Sequence, residues 1–328
     1  MSMLNATTMP QPKSFNVGSV FVGKPGRMSV NGWDAPWDYT PAIDQSFRVP
    51  MWARDIIAWI ADPHEALYLF GPTGCGKTTA LKQLVARLNW PVYEVTGHSR
   101  LEFPELVGHN TIVKGNMLYQ DGPLTLAMRH GGLFLLNEAD LLDPATAAGL
   151  NSVLDGSPLC IAENGGELVK PHPLFRFAAT ANSSGSGDSS GMYQGILRQN
   201  MALMDRFLLV QADYLDADLE EALVAAEAPG LPDTVVKAMV ATANAVRKQF
   251  VGAVDDATVD TEPLDITMST RTLRRWARLT ASCKPLARKG IDPLYYALDR
   301  ALLFRAEPTT RAAVKEIVQR IFGERNGI

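Results

Sequence analysis

Residues 71–78 read GPTGCGKT and match the phosphate-binding pattern GxxxxGK[ST] in full. A short apolar run, Ala66–Phe70, precedes this segment, and residues 78–88 follow it with the spacing of an amphipathic helix. Glycines in such a loop let backbone N–H groups converge on phosphate oxygens at the positive end of a helix dipole. The pattern and its context predict a strand, a loop and a helix that bind the phosphates of a nucleotide.

Individual residues of this loop have separate predicted roles. Lys77 is expected to reach the β- and γ-phosphates of ATP, or the β-phosphate of ADP, and the hydroxyl of Thr78 is expected to ligate Mg²⁺. Cys75 occupies a variable position of the pattern, so we expect a bystander and not a redox group. The predicted nucleotide-binding residues are Gly71, Pro72, Thr73, Gly74, Cys75, Gly76, Lys77, Thr78 and Thr79.

A phosphate-loop enzyme also needs an acidic pair at the end of another strand. The apolar residues 133–136 are followed by Asn137 and Glu138. Glu138 fits the general base that activates water. Asn137 stands where Asp is usual, and it can accept a hydrogen bond from metal-bound water but carries no negative charge. We therefore expect weaker Mg²⁺ retention, unless the amide donates to a neighbour and so favours Asn. The alternative is that both residues merely end a strand.

The apolar run Phe175–Ala181 is followed by Asn182. A polar side chain at this place could contact the γ-phosphate and the attacking water, although Asn after a strand is also a common turn former. Because this strand follows the one that ends in Asn137 and Glu138, we predict the functional role.

The surrounding pattern predicts the architecture. Apolar runs typical of strands alternate with helical segments, which favours a doubly wound, mostly parallel α/β sheet. Asp143 and Pro144 predict the start of a helix. Beyond residue 216 the spacing is helical, apart from the acid-rich residues 253–266, which we interpret as a solvated loop. The predicted strands are Ala66–Phe70, Val92–Thr96, 133–136, Phe175–Ala181 and 207–212; the predicted later helices cover residues 216–226, 236–250, Thr270–Ser282, 293–305 and 309–322. The predicted domains are an extended arm (1–48), an α/β core (49–215) and a helical lid (216–328).

The predicted arm is rich in residues that break helices. The first 50 residues contain six prolines and four glycines, and residues 14–23 suggest one or two short strands. Trp33, Trp37 and Tyr39 cluster after them. We expect these rings to anchor the arm on its own domain; a contact with another subunit or a partner is the alternative.

Composition excludes several classes of protein. The 328 residues are 46% hydrophobic and 20% charged, with a net charge of -4, which suits a globular chain and does not favour nucleic acid as a partner. Three widely spaced cysteines and five scattered histidines indicate neither a disulfide framework nor a zinc motif. Neither an 18-residue apolar run nor a signal core is present, so the expectation is a cytoplasmic protein without a membrane span.

Beyond these general patterns, the sequence resembles the MoxR branch of the AAA+ ATPases, and within it the CobS motor subunits of aerobic cobaltochelatase. The likeness covers about residues 40–320, and Asn137 departs from the family's usual Asp-Glu pair. The segments that carry it are 85–91 (VARLNWP), 170–177 (KPHPLFRF), 181–195 (ANSSGSGDSSGMYQG), 204–207 (MDRF) and 268–273 (MSTRTL).

The resemblance implies roles for two arginines. Arg206 matches the arginine finger that reaches the nucleotide of a neighbouring subunit, and Arg271 matches the sensor arginine of the lid. A planar cation suits the charge of a transferring phosphoryl group. Without the family, the residues alone favour an ion-pairing surface role for each arginine; Arg198 is a weaker second candidate for the finger.

Two insertions are also similar to those of the family, at residues 113–122 and 159–169. In MoxR-type rings such loops face the pore or the partner. We expect Met117, Leu118 and Tyr119 to be exposed and suited to gripping a polypeptide, with local packing as the alternative. The glycines 165 and 166 predict the tip of a hairpin.

The resemblance thus implies an ATP-hydrolysing motor that works as a homo-oligomeric ring, expected to be a hexamer, and remodels or activates a partner protein, typically one with a VWA domain. One alternative is the ATPase subunit of a cobalt or magnesium chelatase. Another is a nucleotide-switched binding module with little turnover, which Asn137 makes credible.

Overall fold

The computed structural model describes residues 10–187, 195–250 and 264–323. These residues form two compact units. The first unit contains residues 10–71, 77–187 and 195–212, and the second contains residues 72–76, 213–250 and 264–323. Part of the serine- and glycine-rich stretch 183–191 and most of the predicted solvated loop 253–266 lie outside the described residues.

The helices and strands are numbered in chain order. The strands are β1 (Pro12–Asn16), β2 (Ser29–Trp33), β3 (Ala66–Phe70), β4 (Val92–Thr96), β5 (Gly108–Val113), β6 (Asn116–Asp121), β7 (Gly132–Asn137), β8 (Leu159–Ile161), β9 (Glu167–Val169), β10 (Phe175–Ala181) and β11 (Phe207–Gln211). The helices are α1 (Val17–Phe21), α2 (Ala53–Ala61), α3 (Lys77–Ala86), α4 (Phe103–Val107), α5 (Pro123–His130), α6 (Pro144–Gly149), α7 (Asn151–Leu154), α8 (Met201–Met204), α9 (Ala217–Glu227), α10 (Asp233–Lys248), α11 (Thr270–Ser282), α12 (Pro293–Ala301) and α13 (Pro308–Phe322).

A five-stranded parallel sheet forms the centre of the first unit. Its strand order is β11-β3-β10-β7-β4, and each neighbouring pair is parallel. Every residue of β7 is buried, which explains its unbroken apolar sequence, because both faces of an inner strand are covered. The predicted α/β fold is confirmed. Because parallel strands end at one edge, the sheet brings Asn137 and Asn182 to the same side as the loop after β3.

Both predicted insertions form β-hairpins in the first unit. β5 pairs with β6, and β8 pairs with β9 around Gly165 and Gly166, which both adopt positive φ. Arg129, at the end of α5, joins the two hairpins: Nε donates to Asp121 of β6 at 2.9 Å, and a terminal nitrogen donates to Glu167 of β9 at 2.7 Å.

One expectation about the first hairpin is wrong. Met117 and Leu118 are exposed as expected, but Tyr119 is half-buried and packs against the apolar core beneath the hairpin. The hydroxyl of Tyr119 is also shielded from solvent. Packing by the tyrosine fixes the base of the hairpin, so only its tip offers apolar side chains to solvent.

The described part of the arm belongs to the first unit. The backbone N–H of Trp33 donates to Leu88 at 3.0 Å, and the ring of Trp33 lies 5.6 Å from that of His172. Trp37 lies 6.2 Å from the ring of His130, so the tryptophans anchor the arm on its own domain, as expected.

The strand expected over residues 14–23 extends only to Asn16, and α1 follows. The side chain of Asn16 accepts from Ser19 N at 3.0 Å and so caps the helix, which outweighs the strand preference of the valines.

The second unit is helical around a buried cluster that includes Met239, Trp276 and Leu298. Helices α9, α10, α11 and α13 lie close to the predicted ranges, whereas the predicted helix 293–305 is interrupted after Ala301 by a short 3₁₀ turn. Glu220 of α9 and Arg247 of α10 form an ion pair inside this unit, with side chains 0% and 7% exposed. No helix among the described residues combines the length and the apolar character that crossing a membrane requires.

Candidate nucleotide-binding site

The loop after β3 has the backbone geometry that its sequence predicts. Gly71 and Gly76 have φ of +150° and +99°, a region that residues with a Cβ rarely adopt. A Cβ on Gly71 would lie 2.2 Å from the carbonyl oxygen of Ala212, so close packing also demands glycine there. A Cβ built on Gly76 would meet no atom within 4 Å, so a ligand has room against the backbone there.

Lys77 begins α3 and lies almost entirely out of solvent, with 9% of its surface exposed. Its ammonium group donates to the carbonyl of Gly71 at 2.7 Å and to Oδ1 of Asn182 at 3.1 Å. The structure therefore brings together two predicted site residues that are 105 positions apart in the chain. A buried cation at this place favours an anionic ligand.

Thr78 and Asn137, the predicted magnesium residues, are also in contact. The Thr78 hydroxyl donates to Oδ1 of Asn137 at 2.7 Å, and the hydroxyl of Thr180 donates to the same oxygen at 2.9 Å. The amide nitrogen of Asn137 donates to Oε1 of Glu94 at 2.6 Å. Because its hydrogen is committed to Asn137, the Thr78 oxygen can present a lone pair to a cation.

Glu138 follows Asn137 in a left-handed conformation, with φ of 53°. Such a conformation is uncommon for a residue with a Cβ and often marks a functional site. The backbone is held in place there, because Gly97 N donates to the carbonyl of Asn137 at 2.7 Å. Glu138 is exposed, so its carboxylate is open to water at the end of β7.

Asp140 is a buried member of the site that the sequence did not reveal. Its Oδ2 accepts from the backbone N–H groups of Asn182 and Ser183, at 2.8 and 3.2 Å. Asp140 is fully buried; burial raises the pKa of its carboxyl, and the two backbone hydrogen bonds oppose that rise. Its only sequence signal was an acidic residue within an apolar segment, which is weak evidence. Asp140 fixes the turn that carries the Asn182 side chain.

Arg206 lies outside this group of contacts. Its guanidinium binds Asp155 through two nitrogens, at 2.7 and 3.0 Å, and also donates to the carbonyl of Ala202. These partners belong to the first unit and are not residues of the phosphate-binding loop. Arg198, the weaker candidate, is exposed beside Gly187.

The second unit contains the rest of the loop, from Pro72 to Gly76, together with Arg271. A Cβ on Gly74 would lie 2.6 Å from that of Ser269 and 3.8 Å from that of Arg271, so the loop runs beside the start of α11. The hydroxyl of Tyr214 donates to the carbonyl of Thr73 at 3.2 Å. Arg271 itself is exposed in the first turn of α11.

Comparison with known proteins agrees with this geometry. Residues 66–207 match the AAA domain (dynein-related subfamily), and residues 220–321 match the CbbQ/NirQ/NorQ C-terminal domain. The aerobic cobaltochelatase subunit CobS of Sinorhizobium sp is 33% identical over 263 residues, which cover 77% of this chain and 74% of that protein. The chain belongs to the MoxR branch of the AAA+ ATPases.

A second MoxR-type relative extends the same match. The denitrification regulatory protein NirQ of Stutzerimonas stutzeri is 31% identical over 255 residues, covering 77% of this chain and 83% of that protein. The two relatives are named after different processes, although each aligns with most of this chain.

Proposed function

We propose that this protein hydrolyses ATP and uses the energy to remodel or activate a partner protein. The observation that carries the proposal is the pair of contacts that join α3 to the ends of two strands: Lys77 with Asn182, and Thr78 with Asn137. These contacts support the proposed roles of Lys77 in phosphate binding and of Thr78 in Mg²⁺ binding, because each lies beside a residue that would act at the γ-phosphate. Membership of a phosphate-loop ATPase family supports the same chemistry.

The donor set fits a nucleotide with Mg²⁺. Gly76 leaves open space against the loop backbone, and Thr78 offers a hydroxyl whose hydrogen is already donated to Asn137. Among the described residues, no three His, Cys, Asp or Glu side chains converge as a metal site, so phosphate oxygens and water would complete the shell of the ion. When bound, Mg²⁺ would neutralise charge on the phosphates.

The protein's own residues would then divide the work of hydrolysis. Lys77 binds phosphate oxygens, Glu138 takes a proton from the attacking water, and Asn182 orients that water. Asp140 holds Asn182 by its backbone. Arg206 of one subunit would stabilise charge at the nucleotide of the next, and Arg271 would sense the nucleotide from α11. A hexameric ring is the assembly that we propose.

The partner is proposed to be another protein, with a VWA-domain protein as the expected type. The match to CobS supports a second candidate function, the ATPase subunit of a cobalt or magnesium chelatase. Asn137, which lacks the usual negative charge, supports a third, a nucleotide-switched binding module with little turnover.

Phosphate release from Mg²⁺-ATP tests the proposal, with Glu138→Gln as the matched control. We expect steady turnover that falls by about 10²-fold or more in the variant, as for a positioned general base. Equal, negligible turnover in both forms with ATP still bound would favour the switch. Failure to bind ATP would overturn the proposal.

A further inference from the structure

Asn137 uses both ends of its side-chain amide. Its oxygen accepts from Thr78 and Thr180, and its nitrogen donates to Glu94. A carboxylate at neutral pH can only accept, and hydroxyl groups can donate, so these partners determine which end of the amide is the nitrogen. The orientation of Asn137 is therefore set by its neighbours, with the 2.6 Å contact to Glu94 as the one that requires an N–H donor.

Glu94 reaches Asn137 because of the sheet register. In the parallel pair of β4 and β7, Thr96 lies opposite Asn137, and Glu94 lies two residues earlier. Side chains two apart on a strand point to the same face, so Glu94 and Asn137 share the face that packs against α3. The second carboxylate oxygen of Glu94 pairs with Lys82, which lies four residues after Thr78 on α3.

These contacts form a closed chain from Thr78 through Asn137, Glu94 and Lys82 back to α3. We infer that Glu94 is a positioning residue for the magnesium side of the nucleotide site, and that it makes Asn, not Asp, the functional residue at position 137. Glu94 supplies the carboxylate from the neighbouring strand and holds the Asn137 oxygen against the hydroxyl of Thr78. The inference rests on the proposed function.

An Asp at position 137 would conflict with Glu94. Two carboxylates would face each other across a hydrogen-bond distance, so one would have to take up a proton or move away. Either response would disturb the oxygen that receives the Thr78 hydroxyl. Exchange of both residues removes the conflict, because a Gln at position 94 can donate to an Asp at position 137. The double exchange also keeps the net charge unchanged.

The test uses the full chain as Asn137→Asp, Glu94→Gln and the double variant, with Mn²⁺ as a paramagnetic probe in the presence of ADP. Electron paramagnetic resonance measures the affinity for Mn²⁺. We expect Asn137→Asp to weaken it by about tenfold or more, the scale of a lost partner for a buried polar group. Glu94→Gln should weaken it less, because the Gln oxygen can still accept from Asn137. The double variant should recover most of the wild-type affinity.

Two results would overturn the inference: tighter or unchanged Mn²⁺ binding in Asn137→Asp, or a double variant no better than Asn137→Asp. Calorimetry with ADP in a chelator separates this from the proposed function, because metal-free affinity should be similar in all four proteins. If the wild type does not bind ADP, the proposed function fails. In that case urea unfolding still tests whether positions 94 and 137 are coupled. The double variant should regain the free energy of unfolding that Asn137→Asp loses.

Discussion

Arg206 and Asp155 form a two-point ion pair within one chain, with N–O distances of 2.7 and 3.0 Å. The guanidinium is fixed in a plane by this pair and by the carbonyl of Ala202. An arginine that completes the site of a neighbouring subunit must be presented in a defined direction. We propose that Asp155 holds Arg206 in that direction.

Arg206→Ala should retain ATP binding and lose hydrolysis, by about 10³-fold or more, because an arginine finger stabilises charge that develops only in the transition state. The decisive measurement is phosphate release by a mixture of the Arg206→Ala and Lys77→Ala proteins. In mixed rings, Lys77→Ala subunits would supply Arg206 to the intact loops of the other subunits, so activity should return. Arg198→Ala removes the weaker candidate for the finger and serves as the comparison variant; with Arg206 as the finger, Arg198→Ala should stay close to wild type. A mixture as inactive as its components would contradict action between subunits.

Lys77→Ala should abolish ATP binding, because it removes the buried cation that contacts both Gly71 and Asn182. Calorimetry measures the affinity, and Lys170→Ala, which removes an exposed lysine from the same unit, is the control. ATP affinity equal to that of the wild type would show that the loop does not bind phosphate.

Glu138→Gln should keep ATP bound and stop its turnover, since the amide cannot accept a proton from water at neutral pH. Filtration of the protein with radiolabelled ATP would measure the trapped nucleotide. Glu163→Gln, at an exposed position in the same unit, should turn over normally. Turnover by Glu138→Gln within about tenfold of the wild type would mean that another group is the base.

Local sequence patterns predicted the strands of the sheet and the phosphate-binding loop. Inner parallel strands are continuous apolar runs, and the glycine-rich loop depends on residues only a few positions apart. Glu94 and Asp140 were missed because their roles come from partners 43 and 42 residues away. Neither residue belongs to a spaced motif, and their positions became meaningful only when the strand register was known.

The same limit explains the smaller errors. Residues 17–21 have strand-forming valines, yet the side chain of Asn16 caps a helix there. Tyr119 lies in a hairpin whose tip is exposed, but its ring packs on a core that is assembled from distant helices and strands. In each case a tertiary or capping contact outweighs the local preference.

Removal of one partner from the buried ion pair of Glu220 and Arg247 should lower the free energy of unfolding of the second unit substantially. Arg247 also donates to the carbonyl of Met268 at 2.8 Å, and Thr270 donates to Glu220, so the pair holds the start of α11, where Arg271 lies. Glu220→Gln leaves a buried guanidinium without its counter-charge, which costs about 3–5 kcal/mol. Urea unfolding, with hydrogen exchange of α9, α10 and α11, measures the loss.

Glu227→Gln is the matched control for that experiment. Glu227 also lies on α9 and pairs with Arg274 of α11 at 2.6 Å, but the side chain of Arg274 is 50% exposed. Since water screens such a pair, its removal should cost no more than about 1 kcal/mol. Equal losses in the two variants would show that burial does not distinguish the pairs. A large loss confined to Glu220→Gln, with faster exchange in the first turn of α11, would show that the buried pair fixes the segment that presents Arg271.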